Sequence, residues 1–484
     1  MIDVAVIGAG ISGAAVAYQL AKYKLNVVVL DKEHDVACGT TKANSAIIHA
    51  GFDAPPGSLM ARYNVQGNAM YESLCHEIDA PYRRTGSYVL AFDDEDMSHI
   101  RTLYERGLQN GVPGLAILDR ETVLAREPRV NPDVLGALYA ETAAVVDPWF
   151  TCIKLLENAA ENDVAILTDA KVTEIQKIIT GGRHGFKVTL ADGRFLETKT
   201  VVNAAGVYAD AVNGMASAVN FTVTPRIGEY FILDKKDGEL VSATIFQCPT
   251  PLGKGVLVAR TVHGNILVGP TALDVGDKDY TGNTSKGLDE VKKQSLRSVP
   301  GINFRDSIKT FSGIRAEADT GDFIIGEAPD VPGFFNVAGM KSPGLTAAPA
   351  VGLAVAEMVI EHLGGATRKE NPVRNTPRIS FAELPDEKKR DLIKKNGKYG
   401  RVICRCETIT EGEIIDAIRR KVGAKTVDGV KRRCRPGSGR CQGGFCGPRV
   451  LEILARELGR KPDQILLDKK GSWILSGELD EGGM

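Results

Sequence analysis

The feature that most constrains the fold is a glycine motif set between an apolar strand pattern and a helix pattern near the N-terminus. Residues 4–7 are apolar, residues 8–13 read GAGISG, residues 14–23 have a helical composition, and a second apolar run covers residues 26–30. A G-x-G-x-x-G turn in this context is typical of βαβ units that bind dinucleotides. We therefore predict such a unit at the start of the chain.

Each part of this motif has a physical task. The first glycine allows a tight turn, the second lets the backbone approach a pyrophosphate, and the third permits close packing of helix on strand. The helix N-terminus adds free N–H groups and a partial positive charge. The predicted contacts are Gly8, Gly10, Ile11, Ser12 and Gly13.

Asp31 closes the second apolar run at the spacing expected for a carboxylate that accepts hydrogen bonds from a ribose hydroxyl. An acid at this position repels a 2′-phosphate, so NADP is disfavoured. The motif alone does not separate FAD from NAD.

Length and charge limit the remaining alternatives. The 484 residues predict two or three folding units. The 60 basic and 61 acidic residues give a net charge of −1, which removes the electrostatic argument for binding nucleic acid or a membrane surface. The N-terminus lacks a signal-peptide pattern, and the longest apolar stretch, residues 346–360, contains Pro349 and Glu357. We expect a cytoplasmic protein with no transmembrane segment and interpret this stretch as a buried helix.

Several motifs further along the chain resemble one superfamily. These are TTKANSAIIHAG at 40–51, VVNAAG at 201–206, GIR at 313–315 and GMKSPGLTAAP at 339–349. In this order they resemble the flavoproteins of the D-amino-acid oxidase and FAD-dependent glycerol-3-phosphate dehydrogenase superfamily, over roughly residues 1–363. The resemblance implies that the dinucleotide is FAD.

The resemblance also implies the residues that hold FAD. Besides the glycine motif they are Asp31, Lys32, Thr40, Thr41, Asn44, Ser45, Ala46, Val172, Ala204, Ala205, Gly206, Gly313, Arg315, Gly339, Gly344, Leu345 and Thr346. There is an independent physical reason for the last three, because they begin the long apolar helix. A helix N-terminus aimed at the flavin would stabilise negative charge on the reduced ring.

The predicted fold class is α/β. We expect a Rossmann-like FAD-binding domain, a substrate domain dominated by antiparallel sheet, and a small, mainly helical C-terminal domain. A hairpin turn at His263-Gly264-Asn265 supports the antiparallel part. The predicted segments are FAD-binding at 1–80, 146–224 and 311–363, substrate domain at 81–145 and 225–310, a Pro- and charge-rich linker at 364–398, the small domain at 399–468 and a tail at 469–484.

Three residues are the candidates for chemistry on an anionic hydroxy substrate. His49 resembles the histidine that follows the flavin-contacting loop in glycerol-3-phosphate dehydrogenases, and an imidazole titrates near neutral pH, so it is the predicted base. Arg315 and Lys341 are the predicted cations for the substrate anion. The position of His49 also resembles the histidine that carries covalent flavin in dimethylglycine-dehydrogenase-like relatives, an alternative that we do not favour.

The residues next to Lys341 leave the identity of the substrate undecided. A lysine resembles this position in glycerol-3-phosphate dehydrogenases, whereas Ser342-Pro343-Gly344-Leu345 is more similar to L-2-hydroxyglutarate oxidases, in which an acid commonly sits beside the lysine. The arginine that glycerol-3-phosphate dehydrogenases place shortly after the histidine is missing, since Phe52-Asp53 follows Gly51. We predict oxidation of sn-glycerol 3-phosphate. The alternatives are a 2-hydroxy-acid or amino-acid dehydrogenase, and a redox subunit without a substrate of its own.

Cysteines crowd into the C-terminal part of the chain. Five of the nine lie between residues 404 and 446, including a C-x-C pair and a C-x4-C pair beside glycines. Four thiolates bind either zinc or an iron-sulfur cluster, and this spacing does not favour a zinc finger. The pattern resembles the BFD-like [2Fe-2S] domain of anaerobic glycerol-3-phosphate dehydrogenase subunits. On that match the ligands are Cys404, Cys406, Cys441 and Cys446, with Cys434 a bystander.

The most basic patch in the chain is residues 431–435, KRRCR, together with Arg440. We interpret it as compensation of cluster charge or as a docking site for an acidic partner, in preference to nucleic acid. The resemblance implies such a partner, a second flavoprotein or electron-acceptor subunit.

Overall fold

The computed structural model describes residues 1–180, 183–249, 255–373 and 377–477. The chain forms two compact units. The first comprises Met1–Lys32 and Ala37–Asn375, and the second comprises Glu33–Val36 and Thr376–Met484. Residues 374–376 of the predicted linker and residues 478–484 of the predicted tail lie outside the described residues.

The strands, numbered along the chain, are β1 Ile2–Ile7, β2 Val27–Leu30, β3 Ile47–Ile48, β4 Tyr82–Arg84, β5 Ser87–Ala91, β6 Leu115–Asp119, β7 Gly136–Ala140, β8 Ala144–Val146, β9 Ala165–Leu167, β10 Val172–Thr180, β11 Arg183–Leu190, β12 Phe195–Asn203, β13 Val223–Leu233, β14 Thr244–Gln247, β15 Leu257–Arg260, β16 Ile266–Gly269, β17 Leu273–Asp274, β18 Ser307–Ala318, β19 Ile324–Ala328, β20 Val331–Ala338, β21 Val402–Cys404 and β22 Ile409–Thr410. The helices are α1 Ile11–Leu20, α2 Leu59–Glu77, α3 Asp94–Gln109, α4 Arg120–Arg126, α5 Pro148–Glu161, α6 Ala209–Asn213, α7 Ser285–Ser298, α8 Gly344–His362, α9 Asp386–Lys395, α10 Glu411–Arg419, α11 Val427–Cys434 and α12 Gly447–Leu458.

The predicted βαβ unit is the centre of the first sheet. β1 pairs in parallel with β2 on one side and with β12 on the other, and β20 pairs in parallel with β12. All four residues of β2 are buried, as are the last four of β1. This agrees with a parallel sheet covered on both faces, in which strands are continuous apolar runs.

The second sheet of the first unit has nine strands and is antiparallel except where β5 pairs with β14. β13 and β18 form its longest ladder, from Val223 opposite Ala318 to Leu233 opposite Ser307. The predicted hairpin lies between β15 and β16, with Gly264 at a φ of 92°. The α/β fold class with an antiparallel second sheet is therefore confirmed, whereas the predicted boundaries between its segments stay predictions.

α8 contains the apolar stretch that was predicted to be a buried helix. Among the described residues it alone is long and apolar enough to pass for a membrane span, and 61% of its most apolar window is buried within the protein. It packs against α1 and α2. Small residues permit the approach: a Cβ on Gly67 of α2 would lie 2.0 Å from the carbonyl oxygen of Thr346.

Gly67 provides a direct test of this packing. We expect Gly67→Ala to lower the free energy of unfolding of the first unit by about 1–3 kcal/mol, because the added methyl group meets backbone that cannot yield without moving α8. Gly276→Ala is the matched control, since a Cβ there has no atom within 4 Å. Denaturant titration followed by tryptophan fluorescence measures both variants, and equal midpoints would contradict the close-packing argument.

The second unit is mainly helical, as predicted. α10, α11 and α12 enclose an apolar core that includes Ile414, Val430 and Leu454, and β21 pairs with β22. α10 begins with a capping box in which Thr410 and Glu413 satisfy each other's backbone N–H groups. Residues 386–395 of the predicted linker form α9, whose acidic first turn and basic last turn match the helix dipole.

Another part of the predicted linker is held on the first unit. The N–H group of Lys369 donates to the carbonyl oxygen of Lys22 at 2.8 Å, and the N–H group of Val373 donates to Oδ1 of Asn162 at 2.8 Å. This segment therefore has fixed backbone partners despite its polar, proline-containing sequence.

Candidate active site and cysteine site

The predicted dinucleotide contacts lie at one edge of the parallel sheet. Gly8 follows β1, Asp31 follows β2, Ala204 follows β12 and Gly339 follows β20. These four strands are parallel, so their carboxyl ends meet at the same edge. Ligands of open α/β sheets bind in the crevice at this edge.

Gly8 can only be glycine in this turn. Its φ is 111°, and a Cβ would lie 2.3 Å from the carbonyl oxygen of Ala204. The N–H group of Gly8 donates to the carbonyl oxygen of Leu30 at 2.7 Å, and that of Ala204 donates to the carbonyl oxygen of Ile7 at 2.8 Å. The turn is thereby fixed between β2 and β12 with its backbone close to the crevice.

The start of α1 carries Ile11, Ser12 and Gly13, and its environment suits an anion. Gly10 has no side-chain cap, and the first turn contains no acid. Oγ1 of Thr41 accepts the N–H group of Ile11 at 3.0 Å. N–H groups at a helix N-terminus, together with the helix dipole, are the kind of site that binds a pyrophosphate.

Asp31 orients the same turn, since its Oδ2 accepts the N–H group of Ala9 at 2.6 Å. Lys32, next in the chain, lies over the ring of Tyr208 with Nζ 4.5 Å from the ring centroid. Burial raises the pKa of Tyr208 to about 12. Gly206 has a φ of 60° and open space where a Cβ would stand, which leaves room for a ligand beside Ala205. Val172 is buried at the start of β10.

The loop that contains Thr40, Thr41, Asn44, Ser45 and Ala46 is fixed by its own polar side chains. Nδ2 of Asn44 donates to the carbonyl oxygens of Thr40 and Thr41, and its Oδ1 accepts the N–H group of Ala46, whose φ is 59°. Oγ1 of Thr40 donates to the carbonyl oxygen of Ile314 at 2.7 Å, and Gly313 packs against Ala43. The loop is thus joined to β18. Together with the glycine turn, it forms a polar cradle that fits FAD.

The backbone of His49 is held from both sides. Its N–H group donates to Oγ1 of Thr346 at 2.9 Å, and its carbonyl oxygen accepts Nδ2 of Asn64 at 2.9 Å and of Asn68 at 3.1 Å. Thr346 is fully buried in the first turn of α8, where the hydroxyl of Tyr71 binds the carbonyl oxygen of Leu345. The position of His49 is therefore set by main-chain contacts that do not involve its ring.

The ring of His49 faces polar and aromatic neighbours. Nε2 lies 3.1 Å from Oγ of Ser342, and the ring centroid is 5.9 Å from that of Phe246. Ser342 follows Lys341, so two motifs 293 positions apart meet at this histidine. A hydroxyl at hydrogen-bond distance orients an imidazole for proton transfer.

Tyr230 lies next to the loop that contains Ser45. Its hydroxyl is 3.2 Å from Oγ of Ser45, its ring stacks on Phe311 at 4.7 Å, and burial raises its pKa. The hydroxyl therefore stays protonated at neutral pH.

Arg315 lies on β18, opposite Arg226 of β13. Its guanidinium donates to the carbonyl oxygens of Thr271 at 2.7 Å and Ile227 at 3.4 Å, and its Nε is buried without a partner in the described part of the chain. Carbonyl oxygens orient a guanidinium but do not neutralise its charge. Arg315 therefore keeps an attraction for an anion.

Lys341 directly precedes Ser342, which contacts His49, but its ammonium group is already paired. Its Nζ forms an ion pair with Glu317, and Glu317 lies 3.9 Å from Arg226, which in turn binds Asp274 through Nε at 2.6 Å. The sequence interpretation did not include Glu317. Glu317 lies two residues after Arg315 on the same strand, so both side chains are on one face. This spacing was the sequence signal that could have identified Glu317.

The four cysteines predicted as ligands come together as two pairs in the second unit. Sγ of Cys406 lies 3.8 Å from Sγ of Cys441. A hydrogen bond with Cys446 lowers the pKa of Cys404 to about 6, and N–H groups of Gly437 and Glu407 act in the same direction. Among the described residues no three potential ligands surround a single ion. Two pairs suit a cluster of two irons, each of which takes two thiolates.

Main-chain N–H groups surround these sulfurs. Those of Phe445 and Gly443 lower the pKa of Cys441. A Cβ on Gly439 would lie 2.4 Å from Cβ of Cys406, so a glycine is required where the two cysteine loops meet. N–H groups directed at thiolates are the outer contacts that tune iron-sulfur sites. Cys434, by contrast, is in the helical core, where burial strongly raises its pKa.

The run 431–435 of the predicted basic patch is largely internal, which corrects its interpretation as a docking site, whereas Arg440 is exposed. Arg432 and Arg433 are 1% and 2% exposed, and both bind Asp35, at 2.9 and 2.7 Å. Lys431 pairs with Asp428, and Arg435 pairs with Glu407. The run was misinterpreted because Asp35 lies 397 positions from Arg432 in the chain.

Comparison with known proteins identifies the class to which these sites belong. Residues 3–358 match the family of FAD dependent oxidoreductases, and residues 402–456 match the BFD-like [2Fe-2S] binding domain. The chain belongs to the FAD-dependent oxidoreductase family and carries a C-terminal [2Fe-2S] domain. Its cofactors are accordingly FAD and a [2Fe-2S] cluster, as predicted.

Individual relatives show which members of the family this chain is similar to. The chain is 50% identical over 480 residues to a glycerol 3-phosphate dehydrogenase of Caloramator mitchellensis, covering 99% of this chain and 98% of the relative. It is similar to the solved L-α-glycerophosphate oxidase of Mycoplasma pneumoniae with FAD bound, with 34% identity, a TM-score of 0.73 and coverage of 78% and 99%. It is also 28% identical to the mitochondrial L-2-hydroxyglutarate dehydrogenase of Homo sapiens, over 65% of this chain and 78% of the relative.

Proposed function

We propose that this enzyme oxidises sn-glycerol 3-phosphate to dihydroxyacetone phosphate. The observation that carries the proposal is the contact of His49 with Ser342, the residue after Lys341, in a chain that matches a glycerol 3-phosphate dehydrogenase over nearly its whole length. When bound, FAD supplies the acceptor for the hydride that leaves carbon 2 of the substrate.

The side chains of this chain supply the remaining chemistry. His49 takes the proton of the C2 hydroxyl, and Ser342 holds its ring in the required orientation. Arg315 binds the phosphate, because its charge is oriented by carbonyl oxygens but not neutralised by them. Lys341 adds a second cation once the phosphate draws it away from Glu317.

The second candidate is a 2-hydroxy-acid dehydrogenase on the same scaffold. One observation favours it: Glu317 forms an ion pair with Lys341. A single carboxylate group carries less negative charge than a phosphate group, so a lysine that is partly neutralised by Glu317 suits a carboxylate better.

An anaerobic titration of the FAD-loaded protein separates these candidates. We expect glycerol 3-phosphate to bleach the flavin absorption, whereas L-2-hydroxyglutarate and L-proline leave it unchanged at the same concentration. Bleaching by L-2-hydroxyglutarate alone would favour the second candidate. If none of the three compounds bleaches the flavin, the remaining hypothesis is that the chain is a redox subunit without a substrate of its own.

We further propose that Cys404, Cys406, Cys441 and Cys446 bind the cluster and that electrons pass to a second flavoprotein or another acceptor protein. Cys441→Ser is expected to abolish the iron-sulfur absorption and leave the flavin spectrum intact, because each iron needs two thiolates. Cys434→Ser is the matched control: it removes a sulfur from the same unit but not from the proposed ligand set. Retention of iron by the Cys441 variant would refute the assignment.

A further inference from the structure

The cysteine site is open to solvent on one side only. Cys406 is exposed and Cys441 is partly exposed, whereas Cys404 and Cys446 are buried in the core of the second unit. A redox group held by these sulfurs is therefore closest to the surface at Cys406 and Cys441. Because electron transfer weakens steeply with distance, an external protein exchanges electrons most readily at this edge.

An apolar side chain stands at the same edge. Phe445 lies between Cys441 and Cys446 in the chain, and its N–H group points at the sulfur of Cys441. Its side chain is 87% exposed, the largest value for any large apolar residue in the described ranges. An aromatic residue kept in water beside a redox site has the character of an interface anchor, since aromatic residues dominate the binding energy of protein interfaces.

The charged residues directly beside Cys406 and Cys441 in the chain include two arginines. Arg405 lies between Cys404 and Cys406, Arg440 directly precedes Cys441, and both arginines are exposed. Glu407, the acid nearest to them in sequence, is only 5% exposed and is paired with Arg435. Arg405 and Arg440 therefore place two exposed guanidinium groups next to the more exposed cysteines in the chain, whereas the side chain of Glu407 is buried.

We propose that Arg405, Arg440 and Phe445 form the docking surface for an acidic one-electron carrier protein. The proposal rests on the assignment of the four cysteines as cluster ligands but is independent of the substrate. Cations around an apolar anchor attract a carrier with an acidic face and repel a basic one. The basic residues that dock the partner are thus not those of the internal run 431–435 but the two arginines beside the exposed thiolates.

Two haem proteins of opposite charge test the proposal. The full-length protein, loaded with both cofactors, is reduced with dithionite, freed of excess reductant and mixed with ferric cytochrome b5, which is acidic, or ferric cytochrome c, which is basic. One electron leaves the protein and reduces ferric haem to ferrous haem, and no proton is transferred. We expect faster reduction of cytochrome b5 at low salt, with a rate that falls as salt is added.

Charge reversal should invert this preference. We expect Arg405→Glu with Arg440→Glu to slow reduction of cytochrome b5 roughly 10- to 1,000-fold and to accelerate that of cytochrome c. Phe445→Ser should weaken binding of ferric cytochrome b5 to the oxidised protein about tenfold or more, measured by calorimetry without turnover. Lys421→Glu with Arg460→Glu is the matched control, because both residues are exposed and follow the far ends of α10 and α12.

Three outcomes would overturn the proposal: faster reduction of cytochrome c by the unmodified protein, equal effects of the two charge reversals, or a reversal that shifts only the reduction potential. The last result would assign the arginines to charge compensation. If a variant loses its iron-sulfur absorption, the proposal is tested by the unmodified protein alone, through the rates at which it reduces the two cytochromes. Because dithionite replaces the substrate, failure of docking leaves the glycerol 3-phosphate titration untouched, and the reverse also holds.

Discussion

Replacing His49 by glutamine is expected to lower kcat for glycerol 3-phosphate by about 10²- to 10⁴-fold, the usual contribution of a positioned general base. Glutamine retains a polar group that can reach Ser342 but cannot take up a proton at neutral pH. Stopped-flow measurement of flavin bleaching at saturating substrate gives the rate of the chemical step directly.

The structure also predicts what this substitution leaves unchanged. Thr346, Asn64 and Asn68 hold the main chain of His49, so the loop keeps its position when the ring is removed. FAD content and thermal stability should therefore match those of the unmodified enzyme. His76→Gln, at an exposed position of α2, is the matched control and should retain full activity. A His49 variant within threefold of normal kcat would exclude His49 as the base.

Asp35→Ala is expected to have the largest effect on stability, lowering the local free energy of unfolding of the second unit by about 3–5 kcal/mol. Asp35 is the shared partner of Arg432 and Arg433, and all three side chains are almost completely buried. Removing the carboxylate takes away the acidic partner of Arg433, which then keeps the carbonyl oxygens of Val422 and Gly429, whereas Arg432 keeps Asp468 at 2.8 Å. A guanidinium whose charge is not compensated is costly in a low-dielectric interior.

Hydrogen exchange of the α11 amides measures this effect within the second unit, where a global two-state analysis of the whole chain would not apply. Asp416→Ala is the control, because Asp416 pairs with Arg420 but is 37% exposed, and loss of such a pair costs at most about 1 kcal/mol. Equal protection in both variants would show that the buried group contributes no more than a surface pair.

The same aspartate predicts a pH dependence. The two arginines hold the pKa of Asp35 well below its ordinary value of 3.8, although burial alone would raise it. A carboxylate with a lowered pKa in the folded state contributes stability that is fully present above the unfolded value and is lost as the pH falls below it. The second unit should therefore loosen below about pH 4, and the Asp35 variant should lack this component of the acid transition.

The parts of this protein that sequence alone determined are those in which the information is local. The glycine motif between a strand and a helix predicted the βαβ unit, because the turn, the helix dipole and the apolar runs lie within thirty consecutive residues. The spacing of the two cysteine pairs likewise argued against a zinc finger, and the resemblance to BFD-like domains then indicated an iron-sulfur domain. His49 and Thr346 were both predicted as site residues, but neither the resemblance nor the composition of the two segments could say that one binds the other.

Only the tertiary structure decided which charges meet. Glu317 forms an ion pair with Lys341 because β18 and the segment before α8 come together, although the two residues lie 24 positions apart. Asp35 belongs to the second unit because it contacts Arg432 and Arg433. The basic run that was predicted to be exposed is therefore mostly buried. An ion pair depends on where side chains lie in space, and a charged residue carries no local signal of its partner.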